Sequence, residues 1–448
     1  MKLIIISQYY APDHSATGQI LHELASSMAR LGDEVHVITG QPSYAVRDRL
    51  PSREIHNGVY VQRVFGTSFD KNKRAGKILN SITFFLSALW ASAWTPRSTP
   101  LLIVSNPPFL ALVGWILCIL KRQPYVYLVH DVYPDIAVQL GYLKAGSIFT
   151  RIWESLNSCI YATTAGLIVL SESMRNIVLT KPNVRQNRIW VIHNWADGNA
   201  IVPFPKKDNP FAIENELVSP FVVQYSGNMG LFHDLEGLIA VSKRTHDLPI
   251  RFLLIGDGGK RKRLQLMAEG SENVTFLSYR TKSELPLSLT ACDVAIVTLE
   301  SGIEGLAAPS KLYGIMAAGR AVVAIVEEHS YIRQILRDAD CGIAVLPKDI
   351  DALEKAIRSL ASDPQRVKQM GQNSRKWFDA HFSLQKAVHA YRQALIVACE
   401  LPEDQHLHDE RTTSSCTLAS TIEQQTGPES IQLPALSDDN PNGKAHKR

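Results

Sequence analysis

Short apolar runs alternate with helix-length amphipathic stretches along most of the chain. In the first half, Lys2–Ser7, Glu34–Thr39, Val59–Val64, Leu101–Val104, Tyr125–Val129, Gly166–Leu170 and Ile189–Ile192 read as strands. Gly18–Leu31 and Ser147–Thr163 carry helical patterns between them. In the second half, strands are expected at Phe221–Tyr225, Arg251–Ile255, Val274–Leu277, Val294–Val297, Ala321–Ile325 and Gly342–Val345. Strands alternating with helices of this length imply right-handed βαβ units and parallel sheets.

Both halves restart in the same way, with an apolar strand running into a Gly-containing turn: Ile6 to Gly18, then Val223 to Gly230. The Pro- and Lys-rich stretch Val202–Pro210 reads as the linker between them. The expected fold class is α/β, with two doubly wound, Rossmann-like domains (1–200 and 211–375) facing a central cleft. Ligands of such sheets bind beyond the carboxyl ends of the strands. After Asp363 the pattern is helical through Cys399, with Trp377, Phe378, Phe382, Val388, Tyr391 and Leu395 on its apolar face. Residues 401–448 are rich in Ser, Thr, Gln, Asp and Pro and are expected to be disordered.

Composition sharpens this picture. A chain of 448 residues suits two or three domains, and 45% hydrophobic with 20% charged residues excludes collagen and wholesale disorder. A net charge of +4 is too small for a nucleic-acid binder. The charge is uneven, however: 19 Lys+Arg against 12 Asp+Glu in residues 1–200, but 4 against 8 in residues 401–448. An anionic partner should therefore meet the first half. Six scattered cysteines without a CxxC pair suit a reducing compartment rather than a disulfide framework or zinc site. A strand-like run right after Met1 leaves no room for a signal peptide, so a cytoplasmic location is expected.

Lys77 to Arg97 encloses 19 uncharged residues, in which Ile78, Ile82, Phe85, Leu86, Leu89, Trp90 and Ala93 recur at helical spacing. Upstream lies the basic run Lys71-Asn72-Lys73-Arg74-Ala75-Gly76-Lys77. Two readings stay open: a core helix of the first domain, or a surface that docks peripherally on an anionic leaflet. Residues 78–94, with five Asn, Ser or Thr, are short and polar for a membrane span.

Five segments at strand ends carry candidate chemistry. In Tyr9-Tyr10-Ala11-Pro12-Asp13-His14-Ser15-Ala16-Thr17-Gly18, Gly18 near a helix start can aim backbone N–H groups at an anion, with His14 on the acceptor side. The strand Tyr125–Val129 delivers His130 and Asp131 to its carboxyl end. There His130 can donate to a hydroxyl or phosphate oxygen, and Asp131 can fix its tautomer or take an acceptor hydroxyl. Gly227, Asn228 and Gly230 lie in Ser226-Gly227-Asn228-Met229-Gly230, which permits close backbone approach to a ligand, and Gly256 opens a similar turn in Gly256-Asp257-Gly258-Gly259-Lys260. The strongest signal is Pro309-Ser310-Lys311, opening a short helix that Gly319 ends. A cation in a first helical turn opposes the helix dipole unless an anion is bound, so Pro309, Ser310 and Lys311 read as a diphosphate site.

These motifs together resemble a group 4 retaining glycosyltransferase of the GT-B fold, over about residues 1–398. The subgroup resembled builds bacterial exopolysaccharide and O-antigen. The resemblance implies a nucleotide-diphosphate sugar donor, UDP ahead of GDP, held mainly by the second domain. Ser310 and Lys311 would hold the diphosphate, Tyr279 and Arg280 would lie near the base, and His130 would contact the donor sugar or phosphate. It implies a polyprenyl-diphosphate-linked saccharide as acceptor, the inner membrane face as location, and a helix over 376–400 that crosses back onto the first domain. No cofactor and no metal are implied, and the chain is expected to lack the Asp-x-Asp triplet of the other major glycosyltransferase fold. Leu306 and Gly314 stand where the broad family carries two glutamates, with Glu300 or Glu304 as substitutes, and Asn228 and His233 stand near its loop Arg and Lys. A nucleotide-sugar 2-epimerase and a non-catalytic nucleotide-sugar-binding subunit are the alternatives.

Overall fold

The computed structural model describes residues 1–13, 15–42, 50–69 and 74–400, which fall in one compact unit. His14, Lys71–Lys73 and the tail 401–448 lie outside the described residues, as do the side chains of Arg74 and Lys77. In chain order the first lobe contains β1 (Lys2–Ile6), α1 (Ala16–Arg30), β2 (Glu34–Thr39), β3 (Arg53–His56), β4 (Val59–Arg63), α2 (Arg74–Ala93) and β5 (Leu101–Val104). It continues with α3 (Ala111–Lys121), β6 (Tyr125–Val129), α4 (Asp135–Gln139), α5 (Ile148–Thr163), β7 (Gly166–Val169), α6 (Glu172–Leu179) and β8 (Ile189–Val191).

The second lobe contains α7 (Pro210–Glu214), β9 (Phe221–Ser226), α8 (Glu236–Arg244), β10 (Ile250–Ile255), α9 (Arg261–Met267), β11 (Val274–Leu277), α10 (Leu285–Leu289) and β12 (Val294–Thr298). Then follow α11 (Lys311–Ala317), β13 (Ala321–Ile325), α12 (Tyr331–Ala339), β14 (Gly342–Val345), α13 (Ile350–Ala361), α14 (Pro364–His381) and α15 (Leu384–Cys399).

The first sheet runs β3-β4-β2-β1-β5-β6-β7-β8 and the second β11-β10-β9-β12-β13-β14. Pairing is parallel throughout, except for the antiparallel β3–β4 hairpin. Central strands such as β5 and β6 are buried along their whole length, because helices cover both faces of a parallel sheet. Each sheet reverses its winding once, between β1 and β5 and between β9 and β12. Those two switch points open the crevices in which such sheets bind ligands. Serine side chains start α1, α5, α6, α12 and α15 by accepting from a first-turn N–H.

Three expectations gain detail or change. The stretch Val202–Pro210 does join the two lobes, and it is pinned rather than loose. Arg375 donates to the carbonyls of Gly198 and Ile201 just ahead of it, Lys206 pairs with Asp293, and Asn209 caps α7. The crossing helix is not 376–400. Residues 376–381 end α14, which packs on α11 and β13, and Ser383 caps a fresh helix, α15, that crosses to α1, β6 and β7. There Arg392 grips Asp33 through two bonds of 2.7 and 2.9 Å, both side chains buried.

The third change concerns α2. Phe85 and Leu89 pack against the core, as do Phe84 and Ala88, while Ile78, Ile82, Leu86 and Trp90 point outward. Leu86 is 56% and Trp90 69% exposed. The inward face also takes polar groups: Asn80 bonds both the N–H and the carbonyl of Phe69 at 3.0 Å, and Thr83 accepts from Thr67 N–H. Burial here follows hydrogen-bond satisfaction as much as hydropathy, which leaves an apolar stripe that no described residue covers. No described helix is long and apolar enough to cross a membrane.

Candidate active site

The second sheet's switch point brings Ser226–Gly230, after β9, against Pro309–Lys311, after β12. Gly227 has φ +137°, and a Cβ there would stand 2.4 Å from Lys311 Cε, so only glycine lets the lysine lie across the loop. Gly256 (φ +132°) packs as tightly: its Cβ would meet Gly227 O at 2.0 Å. Met229 N–H donates to Asp257 O at 2.7 Å and Lys260 N–H to Met229 O at 2.9 Å, joining the two turns. Asn228 is exposed, with its amide lying over Gly230 and Gly258. Gly227, Asn228, Gly230, Gly256 and Lys311 thus form one cradle.

The lysine's environment is unusual. Its ammonium lies 3.1 Å from His233 Nε2 and 5.3 Å from the centre of the buried Tyr225 ring, with no carboxylate within ion-pair distance among the described residues. His233 Nδ1 faces the Thr298 carbonyl at 2.8 Å, which only accepts, so Nδ1 carries the proton and Nε2 receives from Lys311. Burial lowers the Lys311 pKa to about 8. Burial first, then the Lys311 charge, lowers that of His233 to about 3, so the imidazole stays neutral. Ser310 caps α11 without a side-chain hydrogen bond of its own, and Pro309 is buried behind it. This cradle therefore presents one uncompensated cation, held by a neutral acceptor and a ring face, beside glycine backbone.

Beneath it, Asp234, Glu236 and Glu300 place carboxylate oxygens within 4.8 Å of one another. Lys260 reaches Glu236 at 3.0 Å and Glu300 at 3.2 Å, and Lys348 reaches Glu300 at 3.4 Å, so lysines supply the positive charge there. Glu300 is thereby committed. Glu304 is 4% exposed beside Ser173 and Ser330 in the joint between the lobes, where burial holds its pKa above the ordinary carboxylate value. Leu306 packs into the first lobe's core. Two Asp-x-Asp triplets do occur, contrary to expectation, but both serve helix ends. Asp340 is the left-handed C-cap of α12; Asp349 caps α13, while Asp351 pairs with Arg244 at 2.6 Å.

The first lobe meets this site through the end of β6. Val132 N–H donates to Leu306 O at 2.8 Å and Asp131 bridges to Ala307, just ahead of Pro309-Ser310-Lys311. Ser105 Oγ accepts from the N–H groups of His130 and Asp131, at 2.9 and 3.2 Å. His130 Nε2 is buried without a hydrogen-bond partner among the described residues, and burial lowers its pKa to about 4. A neutral imidazole with an orphaned nitrogen is suited to a ligand group that supplies the missing bond.

Two expected ligand groups are engaged elsewhere. Gly18 N–H donates to Ser15 Oγ at 3.1 Å, and a Cβ at Gly18 would crowd Tyr10 N at 3.3 Å. That glycine serves loop packing, because the capping serine already takes its N–H. Arg280 lies over the Phe211 ring at 5.1 Å and pairs with Glu284 at 3.8 Å, so its guanidinium turns into the second lobe. Tyr279 stays at the rim, 55% exposed, its hydroxyl 3.4 Å from Asp257 O. His14 cannot be placed, since it lies outside the described residues. Sequence reasoning missed two contributors. His233 reaches Lys311 only through the fold. Glu23 of α1 accepts from Lys282 and from Trp195 Nε1, both at 2.9 Å, tying the first lobe to the loop that carries Tyr279.

Two parallel sheets meeting across a glycine-lined cationic cradle make this a GT-B protein. The profile "Glycosyltransferase Family 4" matches residues 17–199 and "Glycosyl transferases group 1" matches residues 206–377. WbjE of Pseudomonas aeruginosa, named as a glycosyltransferase, is 28% identical over 408 residues, covering 88% of this chain and 98% of the relative. WcaI of Escherichia coli (strain K12), a glycosyl transferase named for colanic acid biosynthesis, is 26% identical over 376 residues, 80% of this chain and 91% of the relative. The structure of Anabaena HepE in complex with UDP superposes with a TM-score of 0.67 at 16% identity, over 88% of this chain and 99% of that one. The chain belongs to the group 4 glycosyltransferases of the GT-B fold, of the bacterial exopolysaccharide and O-antigen type.

Proposed function

We propose that the protein transfers a sugar from a UDP-sugar to a polyprenyl-diphosphate-linked saccharide, with retention, while resting on the inner face of the membrane. The Lys311 cradle carries this reading. An ammonium without a carboxylate partner, beside glycine backbone at a switch point, is what a departing nucleoside diphosphate needs. UDP is favoured because HepE, of the same fold, is solved with UDP and with UDP-glucose. Retention rests on the family resemblance alone. His130, at the joint with the 306–307 segment, would contact the donor sugar, with Asp131 beside it toward the acceptor. The reaction is read as metal-independent, since Lys260 already occupies the carboxylate cluster and Lys311 meets the diphosphate.

Membrane docking is supported by the outward stripe of α2 and by charge. Residues 74–164 hold seven Lys+Arg against three Asp+Glu, two of which (Asp131 and Asp135) lie at the cleft end. Each basic side chain near an anionic surface contributes about 1 kcal/mol. A 2-epimerase acting on free donor has no use for such a face. The test is a panel of UDP-, GDP- and ADP-sugars with membrane extract, scored for released nucleotide and labelled lipid. UDP-sugar turnover that depends on the extract is expected; turnover with no lipid labelled would refute the acceptor.

A further inference from the structure

The turn between α4 and α5, with the first turns of α5, has features that neither the donor cradle nor α2 explains. Lys144 and Arg151 are both exposed, and neither has a carboxylate within ion-pair distance among the described residues. They are held on one edge. Thr150 Oγ1 donates to Lys144 O at 2.9 Å and Ser147 N–H to the same carbonyl at 3.3 Å, which straps Lys144 to the start of α5. Ile148, Arg151 and Ile152 share one helical face. Ile148 is 79% exposed, and Phe149 and Ile152 are each more than half exposed.

The edge also leads to the reaction centre. Phe149 packs on the Trp153 ring at 5.9 Å, and Trp153 stacks on Tyr133 at 5.6 Å with the rings 4° from parallel. Tyr133 lies just past Asp131 on the same strand-end segment. A pair of unpartnered cations beside exposed aliphatic side chains matches a ligand with an anionic head and an apolar tail. Two ring contacts then separate it from the acceptor side of the cleft.

We infer that this edge grips the carrier of the acceptor: Lys144 and Arg151 take the diphosphate of an isoprenoid diphosphate, and Ile148, Phe149 and Ile152 take the start of its chain. The inference rests on the reading that the acceptor is lipid-linked, and names how that lipid is recognised. It predicts a preference for diphosphate over bulk anionic lipid, which α2 alone does not supply.

The test is flotation with two kinds of phosphatidylcholine vesicle, one doped with geranylgeranyl diphosphate and one with phosphatidylglycerol matched in total charge. Wild type should bind the first more tightly. K144A/R151A should lose roughly ten- to thirty-fold more affinity for diphosphate vesicles than for the matched vesicles, whose binding it lowers only through bulk charge. I148S/F149S should weaken binding to both kinds and keep the preference. UDP titration of each protein reads the donor site separately, and all three should bind UDP alike. Equal binding of wild type to both vesicle types would overturn the inference, as would a preference that survives in K144A/R151A.

Discussion

Replacing Lys311 by methionine keeps most of the side chain's bulk and removes its charge, so it separates what the ammonium does for catalysis from what it costs the fold. Burial takes the pKa from 10.5 to about 8. At 1.36 kcal/mol per unit that is an upper bound of about 3 kcal/mol of desolvation carried by the folded state at pH 7. Partial solvent access reduces it, to about 1–2 kcal/mol. Lys311→Met should therefore raise the unfolding midpoint, an effect few active-site losses share. The folded pKa lies below the unfolded one, so the unfolded chain binds more protons between pH 8 and 10.5. Wild-type stability should rise across that window, and its deficit against the variant should close. The same charge is expected to be worth about 10²–10³-fold in kcat/KM, as for other donors aimed at developing negative charge. UDP binding by wild type should hold steady up to about pH 8 and weaken above it as the ammonium loses its proton. His233, with a pKa of about 3, adds no inflection near neutrality. Calorimetric titration with UDP and a thermal melt, both from pH 7 to about 9.5, read these together. Level UDP affinity across that range, with turnover by Lys311→Met within about threefold of wild type, would refute the assignment.

Other expectations follow from particular contacts. Lys282→Ala should raise the donor KM only a few-fold, because its pair with Glu23 is 62% exposed on the lysine side and such pairs contribute at most about 1 kcal/mol. Glu23→Ala should cost more, about 1–3 kcal/mol in a chemical melt, since it also leaves the buried Trp195 N–H without its acceptor. Leu86→Ser with Trp90→Ser should weaken flotation on phosphatidylglycerol vesicles with the melt unchanged, whereas Phe84→Ala, at a site 1% exposed, should cost about 3–5 kcal/mol and leave flotation intact. Arg392→Ala should destabilise by about 1–3 kcal/mol in denaturant titration, because the buried Asp33 carboxylate loses two charge-assisted bonds and keeps the Met1 ammonium at 2.7 Å.

Much of the fold was legible because parallel strands buried on both faces are short, apolar and bounded by turns. Tyr125–Val129 and Ala321–Ile325 are runs of this kind, and the structure reproduces their bounds. The strand Arg53–His56 was not legible: it is a half-exposed edge of four mostly polar residues, ordered by its hairpin with β4. The periodicity of α2 showed a stripe but not which way it faced, since that depends on where Asn80 and Thr83 find partners in the loop before the helix. At the site, Lys311 stood out as a cation in a first helical turn. His233 did not, because its meaning comes from Thr298 and Lys311, which the sheet brings to it from far along the chain. Arg280 was legible as a charge at a strand end, but its place over the Phe211 ring comes only from the fold.

The crossing of α15 makes the first lobe complete only at its far end. Tyr391 and Leu395 are wholly buried in the core built by β1, β5 and β6, so that core lacks its last wall until the chain beyond the second lobe is made. At about 5–20 residues per second, the ribosome needs about 10–40 s to travel the 200 or so residues in between. Through that interval the nascent first lobe shows water two apolar surfaces, the future seat of α15 and the outer stripe of α2. The second lobe, contiguous from Pro210 to His381, has no such wait. The second lobe should therefore fold first, and a fragment ending near residue 200 should aggregate unless residues 383–400 are supplied as a separate peptide.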